Sequence, residues 1–136
     1  EGRVLSSMQG SYGNNCQFGL SKSNSRFDYI SLGNDFFRHA MSVSDGWHHF
    51  AMTDNGDGSL TAATLYIDTS SVSYSTPVQN GSYNNNTALN IGRGMKNNGS
   101  ADYGFNGEIA QIRIYNTELT AAEIAADYNA TKTNFI

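Results

Sequence analysis

Two adjacent histidines, His48 and His49, follow Trp47 in Gly46-Trp47-His48-His49-Phe50-Ala51. Imidazoles bind metals and move protons near neutral pH. Chelation from a strand, however, needs a spacing of two, because successive side chains point to opposite faces. On a strand over 47–53, His48 travels with Phe50 and Met52, and His49 with Trp47 and Ala51. The pair is therefore not expected to hold one ion together. One ring is expected half-buried and hydrogen-bonded, the other exposed. General acid/base or nucleophilic work needs a serine, cysteine or paired carboxylate within reach of the imidazole, and the neighbouring sequence supplies none in a recognisable arrangement. Glycoside hydrolysis needs two carboxyl groups a few ångströms apart. Glu108 stands alone, Glu118 and Glu123 belong to a helix start, and Asp54 and Asp57 fall in a turn. No catalytic residue is assigned, and no enzyme is expected. Cys16 is the single cysteine and sits on one strand face with Phe18 and Leu20, as a small buried hydrophobe would.

Binding chemistry is better supplied. Tyr12, Phe36, Tyr83 and Tyr103 lie in or beside loops rich in Asn, Ser and Gly. A flat apolar ring flanked by amides is suited to stacking on a sugar and hydrogen-bonding its hydroxyls. Tyr83, Tyr103 and Asn85 are the candidate ligand-binding residues; the bland alternative is that such rings only close the ends of a sandwich.

The composition narrows the partners. The chain has 136 residues, enough for one domain with its own core. Its net charge is −4 and only 15% of residues are charged. With no basic stripe, nucleic acid and anionic membrane surfaces are not expected partners. No apolar run approaches the roughly 18 residues of a membrane helix. The sequence opens on Glu1-Gly2 and carries no signal-peptide pattern, which leads us to expect a piece of a longer polypeptide.

The elements that must position these residues read mostly as short strands. Apolar and polar residues alternate with period two over Arg3–Leu5, 17–22, 26–32, 47–53, 64–68, 72–78, 89–92 and 108–115. In the last of these Ala110, Ile112 and Ile114 share one face. Asp54-Asn55-Gly56-Asp57-Gly58 is a hairpin signal, and Pro77 marks an edge or an end. Many short strands with turn signals between them predict an all-β, two-sheet antiparallel sandwich. One helix interrupts the pattern. In Leu119-Thr120-Ala121-Ala122-Glu123-Ile124, Thr120 and Glu123 form a capping box and Leu119 can staple onto Ile124. Alanines follow, and Asn129 is the expected stop, giving a short C-terminal helix over about 120–129.

Five segments carry a family resemblance. Gly46-Trp47-His48-His49-Phe50-Ala51, Leu65-Tyr66-Ile67-Asp68, Asn90-Ile91-Gly92, the run from Phe105 to Asn116, and Leu119-Thr120-Ala121-Ala122-Glu123-Ile124 occur in that order. Together they resemble the laminin G-like branch of the concanavalin A-like jelly rolls, across nearly the whole chain. The resemblance implies a single jelly-roll domain over 1–136 in which the Trp-His pair is structural. The chain departs from the pattern in three ways. Thr69 stands where the family has Gly after Asp, Ala110-Gln111 replaces Asp-Glu, and two family strands expected before Glu1 are missing. An uncovered edge is expected to follow, against which a neighbouring subunit or upstream residues would lie near 3–8. Relatives resembling laminarinases set carboxylates at alternate strand positions, a pattern this chain lacks.

The resemblance also implies a calcium site at the loop end of the sandwich, with Asp35 and Asn85 or Asn86 at the ligand positions; Asp54 to Gly58 does not make an EF-hand loop, because the closing Glu is missing. Residues 127–135 resemble the C-terminal tail of laminin G-like domains in tailed-phage virion proteins. The expected function is thus a non-catalytic binding or structural module on a virion surface, in a tail fibre or attached to a capsid. Its expected partners are a glycan or cell-surface polysaccharide and other virion subunits. The alternative is a carbohydrate-binding module of a secreted bacterial enzyme or adhesin. Either way the expected location is extracellular or on the virion surface.

Overall fold

The computed structural model describes residues 2–7, 16–21, 26–31, 35–40, 44–55, 63–73, 89–95, 101–102 and 104–135. The chain forms two compact units, one of Glu1–Ser42 with Tyr74–Ile109 and one of Val43–Ser73 with Ala110–Ile136.

The first unit is built on a five-stranded sheet. β1 (Gly2–Ser7), β2 (Cys16–Ser21), β3 (Arg26–Ser31) and β4 (Asp35–Ala40) form a continuous meander, and a later strand closes its other side. The second unit contributes β5 (Phe50–Thr53), β6 (Thr64–Ile67) and β7 (Ser70–Val72). The chain then returns to the first unit with β8 (Leu89–Ile91), β9 (Gly94–Met95) and β10 (Ala101–Asp102). The large sheet has the order β4-β3-β2-β1-β8, and β9 pairs with β10. Every one of these pairings is antiparallel. The register of β1 on β2 slips between Arg3 and Leu5, and the Val4 carbonyl inside that bulge accepts the Gly92 N–H at 2.9 Å. Gly92 sits at φ +76°, a conformation that favours glycine. Its carbonyl in turn accepts the Phe105 N–H at 2.8 Å.

The second unit holds a three-stranded antiparallel sheet in the order β5-β6-β7 and the helix α1 (Ala121–Thr131). β6 is central and carries the core: Leu65 is 0% exposed and Tyr66 8%, so both faces of this strand are covered. Ile124 is fully buried from the helix. β6 and β7 are joined by the two-residue turn Asp68-Thr69, with φ of +46° and +78°. Two positive φ values make it a type I′ turn, whose twist matches the flanking strands. Thr69 occupies the position where glycine would be unstrained, and a β-branched residue there is an outlier.

The helix obeys its sequence signals. The Glu123 N–H donates to the Thr120 hydroxyl at 3.3 Å, and the Thr120 N–H donates to the Glu123 carboxylate at 2.8 Å. Asn129 does not stop it. The helix runs to Thr131 and tightens into a 3₁₀ turn, Lys132–Asn134. Thr131 donates its hydroxyl back to the Asp127 carbonyl at 2.9 Å, a local bond that a helix end accommodates well.

Four other expectations are corrected. Residues 108–115 lie in neither a ladder nor a helix, although their alternation is the most regular in the chain. Alternation fixes which side chains share a face, and a ladder also needs a partner. The Trp47–His49 part of the expected strand lies outside the ladder, which begins at Phe50. β1 has neighbours on both sides, so the edge expected near 3–8 is closed by β8. β4, β9 and β10 were not expected. β4 places Phe36 beside Phe37, which breaks the alternation, and the other two strands have two residues each, too few to show a period. The hairpin signal at Gly56–Gly58 and the second half of the segment 72–78 lie outside the described residues. Among the described residues no helix is long and apolar enough to cross a membrane.

Candidate functional site

The two histidines point to opposite sides, as neighbours in an extended segment must. His48 faces the β6–β7 turn. Its Nδ1 lies 2.7 Å from the Asp68 carboxylate and its Nε2 3.0 Å from the Ser44 carbonyl. The second Asp68 oxygen accepts the His49 backbone N–H at 2.9 Å, and the Asp68 N–H donates to the His49 carbonyl at 2.9 Å. One carboxylate in a left-handed turn therefore ties the histidine segment to the central hairpin. Hydrogen bonding to Asp68 raises the His48 pKa above its ordinary value, against a smaller lowering from burial.

His49 faces the helix. Its ring packs against Tyr128 with centroids 5.8 Å apart, and Trp47 packs against Phe135 at 5.6 Å. Lys132 extends its ammonium over the other part of this cluster, 5.3 Å from the Tyr128 centroid. The His49 Nδ1 is buried with no hydrogen-bond partner. Burial pushes the His49 pKa down, and the nearby Asp68 and Asp127 charges only partly oppose it. Contrary to expectation neither ring is exposed: both residues are half-buried, and it is the residue pointing at the turn that is saturated with hydrogen bonds. Both roles are structural, and the two rings do not converge on one ion. Among the described residues no group of three or more His, Cys, Asp or Glu side chains could hold a metal.

Asp127 anchors a second cluster that the sequence reading did not single out. Arg113 reaches one oxygen at 2.7 Å and the Tyr115 hydroxyl donates to the other. These bonds, the tyrosine's first, hold the Asp127 carboxyl below the usual range. The available signal was the spacing of Ile124, Asp127 and Tyr128, which share one face of the helix.

A polar groove opens in the same unit. Thr53 and Thr64 stand directly opposite each other in the β5–β6 ladder, Tyr66 follows on the same face, and Glu118, Leu119, Thr120 and Ala121 form the other wall. Its volume is about 320 Å³, at the small end for ligand pockets. The hydroxyls and carboxylate could hydrogen-bond a small hydroxylated ligand. They include no pair of carboxylates for acid/base work on a glycoside. The groove is not legible in sequence, because it depends on β6 lying beside the helix start.

Of the residues singled out from sequence, Tyr83, Tyr103, Asn85 and Asn86 lie outside the described residues, as does Tyr12. Asp35 is placed only by its backbone, at the start of β4 opposite Ser31.

The profile of the concanavalin A-like lectin/glucanases superfamily matches residues 1–125. No curated protein and no solved structure matches the chain.

Proposed function

The chain belongs to the concanavalin A-like lectin/glucanase superfamily, and from that premise we propose that it is a non-catalytic glycan-binding module. The family match carries this reading. The antiparallel sheets are those of a two-layer jelly roll in this proposal, and the ligand sits at the loop end, stacked on Tyr83 and Tyr103 with Asn85 hydrogen-bonding its hydroxyls. The two histidines, which might have suggested chemistry, are consumed in tying the segment before β5 to a turn and to a helix. That leaves binding as the activity the described residues are compatible with.

Calcium is part of the proposal. Asp35, Asn85 and Asn86 offer only oxygen donors, which suit a hard cation, but a single carboxylate makes a weak site that carbonyls and water must complete. The location we propose is a virion surface, extracellular in either case, with a cell-surface polysaccharide and other virion subunits as partners. The acidic, lysine-poor surface supports this choice over nucleic acid or membrane.

A glycan array probed with and without calcium tests the reading. Signal on a defined polysaccharide class that is lost in Tyr83→Ala and Tyr103→Ala is the expected result. No signal under either condition, or reducing-sugar release that Glu108→Gln abolishes, would overturn it.

A further inference from the structure

The His49 Nδ1 is buried without a hydrogen-bond partner. A neutral imidazole can sit there, but an imidazolium carries an N–H on both nitrogens. Protonation would therefore bury a charge and a donor with no acceptor, which costs more than either alone. The carboxylates that act on the ring are already engaged. One Asp68 oxygen holds His48 Nδ1 at 2.7 Å and the other accepts the His49 backbone N–H at 2.9 Å. The two Asp127 oxygens hold Arg113 and Tyr115. Cations stand nearby. Arg113 opposes a charge on the ring, and the Lys132 ammonium lies over Tyr128, 5.3 Å from its centroid. On acidification His48 charges first, because Asp68 raises its pKa, and His49 then meets a cation on the adjacent residue.

The ring also holds something. Trp47 and His49 share one side of their segment, and that side carries the end of the chain: Tyr128 packs on His49 at 5.8 Å and Phe135 on Trp47 at 5.6 Å. The earlier part of α1 is held by other groups. They are the capping box of Thr120 and Glu123, the buried Ile124, and Asp127 on Arg113 and Tyr115. These holds survive mild acid, because the Thr120 N–H keeps the Glu123 carboxyl below its usual range and the Tyr115 hydroxyl does the same for Asp127. We propose that His49 is an acid-sensitive latch: protonation of its buried ring frees the stretch from Tyr128 to Phe135 from Trp47 and His49 while the start of α1 stays docked. The latch is separate from the glycan-binding loops, and its test does not depend on them.

Trp47 is the single tryptophan of the chain and reports on the latch directly. It is 44% exposed when Phe135 covers it, so acrylamide quenching should rise about twofold when the end lets go. The expected result is one such step between about pH 7.5 and 5, centred below the ordinary histidine value of about 6.5. Far-UV circular dichroism should keep most of its signal across the step. Hydrogen exchange should quicken after Tyr128 and not around Ile124. His49→Phe keeps an aromatic ring that cannot be protonated and should abolish the step, as should His49→Gln, which is neutral at every pH. His48→Gln removes the neighbouring cation and should leave the step in place at higher pH. A flat Trp47 signal over this range overturns the proposal. So does a step that persists in both His49 variants, a step that His48→Gln abolishes, or a step that coincides with loss of the whole circular dichroism signal.

Discussion

β6 and the segment 110–116 lie in the same unit and look alike in sequence, yet only one is a strand. Thr64-Leu65-Tyr66-Ile67 pairs with β5 on one side and β7 on the other, and Leu65 is completely buried. Ala110-Gln111-Ile112-Arg113-Ile114 has the cleaner alternation, no ladder, and an isoleucine 67% exposed. The difference lies in partners. β6 has strands immediately after and shortly before it, joined to β7 by a two-residue turn, so its hydrogen bonds close locally. Among the described residues, the later segment is held by side chains, through Arg113 and Tyr115 on Asp127. Apolar periodicity assigns faces, while burial requires a surface to be buried against.

The comparison is broken most sharply by truncation. Leu65→Ala leaves a cavity under a strand covered on both faces and should cost roughly 2–5 kcal/mol, whereas Ile114→Ala should stay within about 0.5 kcal/mol. Urea midpoints of the two variants measure this. Equal losses would mean that 110–116 is as deeply packed as β6.

The turn that gives β6 its local partner can be improved. Thr69→Gly relieves a β-branched residue at φ +78° and should stabilise the protein by about 1 kcal/mol, after allowance for glycine's greater freedom in the unfolded chain. A lower melting temperature would show that the Thr69 side chain makes a contact worth more than the strain.

Helix α1, against which 110–116 is anchored, is fixed by its cap. Thr120→Ala removes the acceptor for the Glu123 N–H and should cost about 1 kcal/mol. If the anchoring through Asp127 is as described, the same variant should speed hydrogen exchange around Tyr115 more than in β6. Uniform acceleration would contradict a local role.

The smallest effect separates the two histidines. His48 titrates above its usual value of about 6.5 because of Asp68, so its contribution to stability is complete below about pH 6.5 and is lost as pH rises through the raised value. His49 titrates below it because of burial, so its contribution is present above about pH 6.5 and is lost as pH falls through the lowered value. His48→Gln should flatten the alkaline side of the stability profile and His49→Gln the acid side. Denaturation midpoints measured across about pH 5 to 8 would show the two changes on opposite flanks; both on one flank would reverse the assignment of the faces.

What could be read from sequence was what closes over a few residues. The capping box at Thr120 and Glu123 needs only its own turn, and it formed as written. The pairing of 50–53 with 64–67 and the opposed directions of His48 and His49 follow from local alternation and turn residues. Asp68 was visible only as the end of a strand. Its carboxylate serves two partners nearly twenty positions back because the chain turns left-handed at Asp68-Thr69, without the glycine that would have announced the turn. The helix overran Asn129 because asparagine stops a helix only when the backbone there turns left-handed, and here it does not. The Thr53, Thr64 and Glu118 groove depends on segments brought together by the fold, which no window of sequence contains.

The discontinuity of the second unit has a consequence for how the protein is made. Its strands β5 to β7 are translated first, the first unit's β8 to β10 come next, and only then does α1 emerge from the ribosome. Until Tyr128 and Phe135 are synthesised, His49 and Trp47 lack the aromatic partners that they pack against among the described residues. The nascent chain must therefore carry an unfinished core through much of its synthesis, and contacts so distant in sequence close slowly. A translational pause placed after the β7 codons would lengthen that exposure, and chaperone engagement on the ribosome should peak in the same interval.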